Sequence, residues 1–281
     1  SHGMATIFFI TMKRITSSDN ATFKQLRLLV ESSRERRKQG KTVLDGIHLV
    51  TAWLDRFGPP ELLAVSESGS QQADIRKILA RYPQLDPHVF EDALFGKVSP
   101  VTTPTGILAL IRIPQPPPAP ATRNSCVLLE AIQDTGNLGS ILRTAAAAGI
   151  PEVFLGPGCA QAWSPRVLRA AMGAHFLLRI QEHAALDQVI GGFTGISVST
   201  RLDAAKTIYE LDLTGPVAWI FGNEGSGLTE ATATLSRQAV RIPMPGKVES
   251  LNVAAATAIC LFEEVRQKAA GARMHLAEQG K

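Results

Sequence analysis

The sequence predicts an α/β protein: a small α/β domain, then a larger domain built on a parallel sheet with helices on both faces. Three observations predict it. Between residues 125 and about 270, short apolar runs alternate with helical patterns, which returns each strand parallel to the one before. A proline-rich stretch, IPQPPPAPATRNS from Ile113 to Ser125, separates this part from what precedes it. The glycine-rich turns come late and directly after predicted strands, where open parallel sheets bind their ligands.

The bulk properties narrow the class. The 281 residues suffice for one large domain or two ordinary ones. Apolar residues at 45% and charged residues at 19% suit a soluble globular protein with a sizeable core. A net charge of +4 and a pI of about 9.1 permit a nucleic-acid partner without demanding one. Cys126, Cys159 and Cys260 lie far apart and lack metal-ligand spacing. They read as reduced thiols of a cytoplasmic protein, with no metal expected. SHGM reads as a tag remnant before Met4. ATIFFI is too short for a signal or a span, and no run of ~18 apolar residues follows, so no membrane partner is expected.

The first domain is expected over residues 4–113. NATFKQLRLLVESSRERRKQGK reads as a helix with Asn20 as N-cap and an apolar face of Phe23, Leu26, Leu28, Leu29 and Val30. Its end carries Arg34, Arg36, Arg37, Lys38 and Lys41, which suit a helix C-terminus without any ligand. ELLAVSES and GILALIRI read as strands, with QQADIRKILARY a helix between them. Residues 114–124 form the linker, whose five prolines favour a semi-rigid extended geometry. The second domain is expected over 125–271, with strands at VLLEAI, EVFLG, FLLRI, GISVST, VAWIFG and AVRIPM. No internal repeat is present.

Three segments stand out, each just after a predicted strand. In QDTGNLGSILRTAAAAGI, a turn with Gly136 and Asn137 leads to a helix expected near Leu138, with Arg143 on its first turns. An ordinary strand–turn–helix with a surface arginine would read the same way. In VAWIFGNEGSGL, Gly222, Gly225 and Gly227 permit positive φ and close backbone approach. The loop fits neither nucleotide-binding pattern, and Glu224 sets a carboxylate where a phosphate would want a cation. A tight turn feeding a helix at Leu228 is the plain alternative. In IPMPGKVESLNVAAATAICLFEEV, Ser250 is expected to cap a long alanine-rich helix, with Asn252 in its first turn. The alanines suit core packing or a close subunit contact.

Taken in this order and spacing, N-x-G-x-x-x-R-T-A, then F-G-N-E-G-x-G-L, then I-P-M-x-G-x-V-x-S-L-N-V resembles the SpoU/TrmH family of RNA ribose 2′-O-methyltransferases, of the SPOUT superfamily. SPRVLRAAMGAHFLLRI is similar to the segment between that family's first two motifs. ITSSDNATFKQLRLL and TTPTGILALI are similar to the amino-terminal RNA-binding domain of many members. The likeness covers nearly the whole chain, leaving a polar end of ~10 residues of the kind that usually frays. Two positions depart from the family: Thr135 stands where it often has proline, and Ala254 where it often has serine.

The resemblance implies a carboxyl-terminal trefoil knot, a homodimer, and S-adenosylmethionine as cofactor. It implies cofactor binding by Gly222, Asn223, Gly225, Ile242, Met244, Leu251 and Asn252. It implies methyl transfer by Arg143, with Asn137 placing it and with Glu224, Ser250 and Asn252 completing the site. A sulfonium cofactor would reconcile the glycine turn with Glu224, which would favour the cation or orient Arg143 through a bidentate pair. With such an enzyme behind it, the cluster Arg34, Arg36, Arg37, Lys38 and Lys41 becomes an expected RNA backbone contact. Ribosomal RNA is the expected target, with transfer RNA the other choice. The competing readings are a non-catalytic RNA-binding protein on the same scaffold and a dinucleotide-dependent enzyme; the lack of an early G-x-G-x-x-G weighs against the second.

Overall fold

The structure is a computed structural model that describes residues 12–116 and 123–280. SHGM, ATIFFI and the centre of the proline-rich stretch lie outside the described residues, so the expectations placed on them do too. The chain forms two compact units. One takes the described residues up to Pro114 together with Trp163–Phe176, and the other takes the remaining described residues.

The first unit opens with β1 (Arg14–Ile15), α1 (Ala21–Glu31), α2 (Ser33–Gln39), β2 (Lys41–Asp45) and α3 (Ile47–Phe57). It continues with β3 (Leu62–Ser66), α4 (Ala73–Arg81), β4 (His88–Phe90), α5 (Asp92–Val98) and β5 (Ile107–Arg112). The five strands form one sheet in the order β1-β4-β3-β5-β2, with β5 antiparallel to both β3 and β2. Phe23, Leu26 and Leu29 of α1 pack with Val43, Ala64, Phe90, Phe95 and Leu108 in its core. Asn20 caps α1 as expected, its side chain accepting from the Thr22 and Phe23 amides. The single helix expected over this stretch is two. Ser32 ends α1 by donating its amide to Leu28 O and starts α2 by accepting from Glu35 N at 3.2 Å. The basic run therefore belongs to a second short helix, closed by Gly40 at φ +63°.

The second unit holds β6 (Cys126–Leu129), α6 (Thr135–Ala147) and β7 (Glu152–Leu155). The chain then gives α7 (Pro165–Ala171) to the first unit. It returns for β8 (Arg179–Gln181), α8 (Leu186–Gly192), β9 (Ile196–Thr200), β10 (Lys206–Thr207), β11 (Val217–Phe221), α9 (Glu230–Ala233), β12 (Gln238–Arg241) and α10 (Val253–Gln279). Its seven strands run in the order β10-β12-β9-β11-β6-β7-β8, and every pairing is parallel. The expected parallel sheet is present. Of FLLRI only the end is strand, because Ala174–Leu177 turns as a 3₁₀ helix before β8. The polar end expected to fray is helical to Gln279, and its Ala, Arg, Gln, Met and Leu are strong helix formers.

Candidate functional site

β6 and β11 are neighbours in register, with Leu129 opposite Phe221. Parallel pairing brings their carboxyl ends together, so the connection into α6 meets the glycine-rich turn. Glu130 N donates to Phe221 O at 3.0 Å. Ala131 follows at φ +54°, a left-handed setting that costs a non-glycine residue about 1–2 kcal/mol. Its carbonyl accepts from Asn223 Nδ2 at 2.8 Å. Asn223 Oδ1 in turn accepts from the Gly225 and Ser226 amides at 2.9 and 3.0 Å. The Asn223 and Gly227 backbones pair in both directions. The turn is thus an asparagine-pinned loop, not a phosphate cradle.

The three glycines of the turn serve different ends. A Cβ on Gly222 would strike the backbone of Gly227 and Leu228, so Gly222 permits close approach. Gly227 alone of the three has positive φ, +69°. Gly225 needs neither freedom, since a Cβ there would first meet Asn223 Oδ1 at 3.5 Å.

Glu224 turns its carboxylate onto the start of α6. Oε1 accepts from Asp134 N at 3.1 Å, and Oε2 from Gln133 N at 3.5 Å. The expected bidentate pair with Arg143 is not formed, because backbone amides already occupy the carboxylate. Arg143 is exposed on α6 and lies outside the cavity described below. The helix starts earlier than expected. Asp134 is its N-cap, accepting from Asn137 N at 2.7 Å, so Gly136 and Asn137 lie in the first turn of α6 and not in a preceding turn. Thr135 occupies the first helical position, where a proline also fits because that amide needs no partner.

The third motif also differs in detail. Asn252, not Ser250, caps α10, its Oδ1 accepting from the Ala254 and Ala255 amides at 2.9 and 3.2 Å. Its Nδ2 donates to Asn137 Oδ1 at 2.9 Å. Two asparagines expected at the site thus meet across 115 residues of chain. Ser250 lies before the helix and faces the cavity.

That cavity, of about 660 Å³, opens at the carboxyl ends of β9, β11 and β12. Gly222, Asn223, Glu224, Gly225, Ile242, Met244, Ser250 and Leu251 line it, but Asn252 does not. Leu228, Val253 and Ala256 add apolar wall, and Asp203 and Glu230 add carboxylates. Its two guanidiniums are engaged: Arg201 pairs with Asp203, and Arg241 donates to Ala204 O and Ala205 O. The volume is that of a small-molecule site. Cys159 offers no ready thiolate near the turn, since burial pushes its thiol above the ordinary range.

The basic cluster of the first unit divides. Arg34, Arg37 and Lys38 are exposed. Arg36 is 5% exposed, and its Nη1 donates to Leu29 O and Val30 O at 2.8 and 3.0 Å. It closes the end of α1 and is withdrawn from any RNA. Lys41 Nζ is held by Glu61 Oε1 at 2.8 Å with its side chain 17% exposed. The expected five-residue contact is therefore three exposed cations.

Sequence reasoning missed Glu130. Its Oε1 accepts from Thr229 N at 2.8 Å, and its Oε2 from the hydroxyls of Thr229 and Thr232. A carboxylate in the apolar run VLLEAI was the available signal, since a buried charge demands partners. The positive φ of Ala131 left no signal at all.

An all-parallel sheet with a glycine turn over a cavity at its strand ends defines a cofactor-binding α/β protein. The comparisons with known proteins name the family. The SpoU rRNA Methylase family model matches residues 124–262, and the MRM3-like substrate binding domain matches residues 20–109. The chain is 32% identical to the 23S rRNA (guanosine(2553)-2′-O)-methyltransferase RlmP of Bacillus subtilis, over 89% of this chain and 98% of that protein. A solved RNA 2′-O ribose methyltransferase superposes with a TM-score of 0.76 at 30% identity, over 91% and 99% of the two chains. The AdoMet-bound rRNA methyltransferase from Sinorhizobium meliloti superposes with a TM-score of 0.78 at 26% identity, over 91% and 98%. The chain belongs to the SpoU rRNA methylase family.

Proposed function

We propose that the protein transfers a methyl group from S-adenosylmethionine to a ribose 2′-hydroxyl of ribosomal RNA. The observation that carries this is the cavity at the ends of β9, β11 and β12, walled by the Asn223-pinned turn and flanked by the Asn137–Asn252 pair. Its residues fit the cofactor. The apolar wall of Leu228, Ile242, Met244 and Leu251 suits an adenosine, and the Glu230 carboxylate suits a cation. Bound there, the cofactor would supply an electrophilic methyl on a sulfonium.

The protein's own residues then bind, orient and stabilise. Arg143 stays protonated, as guanidinium does in proteins, so it is no general base. Exposed on α6, it is free to grip a substrate phosphate, place the 2′-hydroxyl and stabilise the developing alkoxide. Asn252 orients the Asn137 amide by its 2.9 Å hydrogen bond. Glu224 fixes the glycine turn to the start of α6. Ser250 faces the cavity as a hydrogen-bonding group.

Residues 4–113 serve as the RNA-binding domain, with Arg34, Arg37 and Lys38 as phosphate contacts, and 125–271 as the methyltransferase domain. Family membership supports a trefoil knot in the stretch from β11 to α10. A homodimer is supported by exposed apolar groups on α10, with Phe262 at 45% and Met274 at 67%. The three free thiols suit a reducing cytoplasm. Among the described residues no helix is long and apolar enough to cross a membrane. The test is transfer of labelled methyl from S-adenosylmethionine to ribosomal and to transfer RNA, with 2′-O-methyl mapping of the product. Label on ribosomal ribose is expected. Label on transfer RNA alone would replace the substrate, and RNA binding with no transfer would leave the non-catalytic reading.

A further inference from the structure

The glycine-rich turn leaves the sheet at Phe221 and ends at Thr229, where α9 begins. One residue holds both ends. The Glu130 amide donates to Phe221 O at 3.0 Å, and the Glu130 carboxylate accepts from Thr229 N at 2.8 Å. The carboxylate has further donors in the hydroxyls of Thr229 and Thr232. It is 8% exposed and does not line the cavity, so it touches the turn from behind. The next residue, Ala131, adds a third hold through its carbonyl on Asn223 Nδ2. A buried carboxylate with every oxygen engaged is expensive to place and rigid once satisfied. A stability role alone does not explain why all its donors lie at one end of a cavity wall.

We propose that Glu130 is a positioning residue for methyl transfer: gripping Phe221 and Thr229, it sets the height of the glycine-rich turn over the S-adenosylmethionine cavity. This role presumes the cofactor reading above. Without the carboxylate, the Thr229 amide and the Thr232 hydroxyl lose their acceptor, and the Thr229 hydroxyl keeps only Thr232 Oγ1 at 3.1 Å. The turn then samples positions that do not fit the cofactor, and binding weakens before chemistry does.

The test compares Glu130→Leu, Glu130→Gln and Thr232→Val with wild type. Glu130→Leu should raise the KM for S-adenosylmethionine by about tenfold or more, with kcat at saturation within about threefold. Glu130→Gln keeps one oxygen for Thr229 N and should recover most of the loss. Hydrogen exchange at amides 223–229 of the cofactor-free protein should quicken in Glu130→Leu and, to a lesser degree, in Thr232→Val. A merely structural carboxylate would lower the melting temperature and kcat together and leave KM alone; that pattern overturns the proposal. So does unchanged exchange in folded Glu130→Leu, or in Thr232→Val if Glu130→Leu does not fold. If wild type itself binds no S-adenosylmethionine, the cofactor reading fails, and the role of Glu130 toward that cofactor falls with it. Exchange then reports only whether the carboxylate fixes the turn.

Discussion

Replacing Gly222 by alanine should damage cofactor binding far more than the same change at either neighbouring glycine. An added Cβ at Gly222 would lie 2.7 Å from Gly227 O and closer still to Gly227 C and Leu228 N. Carbon contacts settle at about 3.5–4.0 Å, so the backbone across the turn must recede by about 1 Å. No flexible side chain is present to absorb that shift, because every clashing atom is main chain. Overpacking of this kind costs about 1–3 kcal/mol. Spent on the wall of the cavity, it weakens S-adenosylmethionine binding by about tenfold to a hundredfold. Gly227 is different: its Cβ would meet nothing within 4 Å, but its φ is +69°. Alanine there should cost about 1 kcal/mol of stability with only a few-fold change in affinity. Gly225→Ala should behave as wild type. Calorimetric titration with S-adenosylmethionine and its demethylated product, alongside thermal melts, reads all three. Wild-type affinity in Gly222→Ala, or a Gly225→Ala protein as damaged as Gly222→Ala, would refute the assignment of close approach to Gly222.

Other outcomes follow from the same geometry. Arg143→Ala should abolish methyl transfer while calorimetry still finds the cofactor bound; wild-type turnover would end its proposed role. Arg34→Glu with Arg37→Glu should weaken RNA binding and shrink its dependence on salt. Arg36→Met should instead lower stability by about 1.5–3 kcal/mol, since it strips the Leu29 and Val30 carbonyls of a charged donor; denaturant titration separates the two effects. Glu263 lies below the ordinary glutamate range chiefly because Arg266 hydrogen-bonds it, although burial opposes this. A depressed carboxylate stabilises the fold above its unfolded value, about pH 4.3, and that contribution vanishes as pH falls through the folded value. Arg266→Gln should therefore lower the melting temperature near neutral pH and flatten its fall toward acid, because the folded value returns toward the unfolded one; identical acid limbs would dismiss the pair.

The sheet of the second unit was legible because each long strand is an apolar run bounded by turn residues, and runs of that kind need no partner to be recognised. β1 and β10 have two residues each, too few for a periodic signal. β2 was hidden by its start, Lys41, which extends a basic run that reads as helix. The glycine turn was legible because its residues are contiguous in the chain. The Glu130–Thr229 contact spans 99 residues: a carboxylate in an apolar run announces a buried charge, but nothing local says which residue satisfies it. Asn252 misled for a simpler reason: serine and asparagine both make good N-caps, and spacing alone does not choose between Ser250 and its neighbour two places on. Arg36 misled because a cation inside a charged run looks solvated, and only tertiary structure shows it folded back on α1.

Trp163–Phe176 belongs by its contacts with residues more than a hundred positions earlier. Thr42 Oγ1 donates to the Trp163 carbonyl at 2.6 Å, and the rings of Trp53 and Phe57 meet Phe176 at 5.6 and 6.0 Å. A fragment ending at Pro114 would therefore lack part of its own interior. Severed at the prolines, the amino-terminal piece should bare Trp53 and Phe57 to water and clump, whereas the same piece supplied with a peptide of 163–176 should regain its solubility.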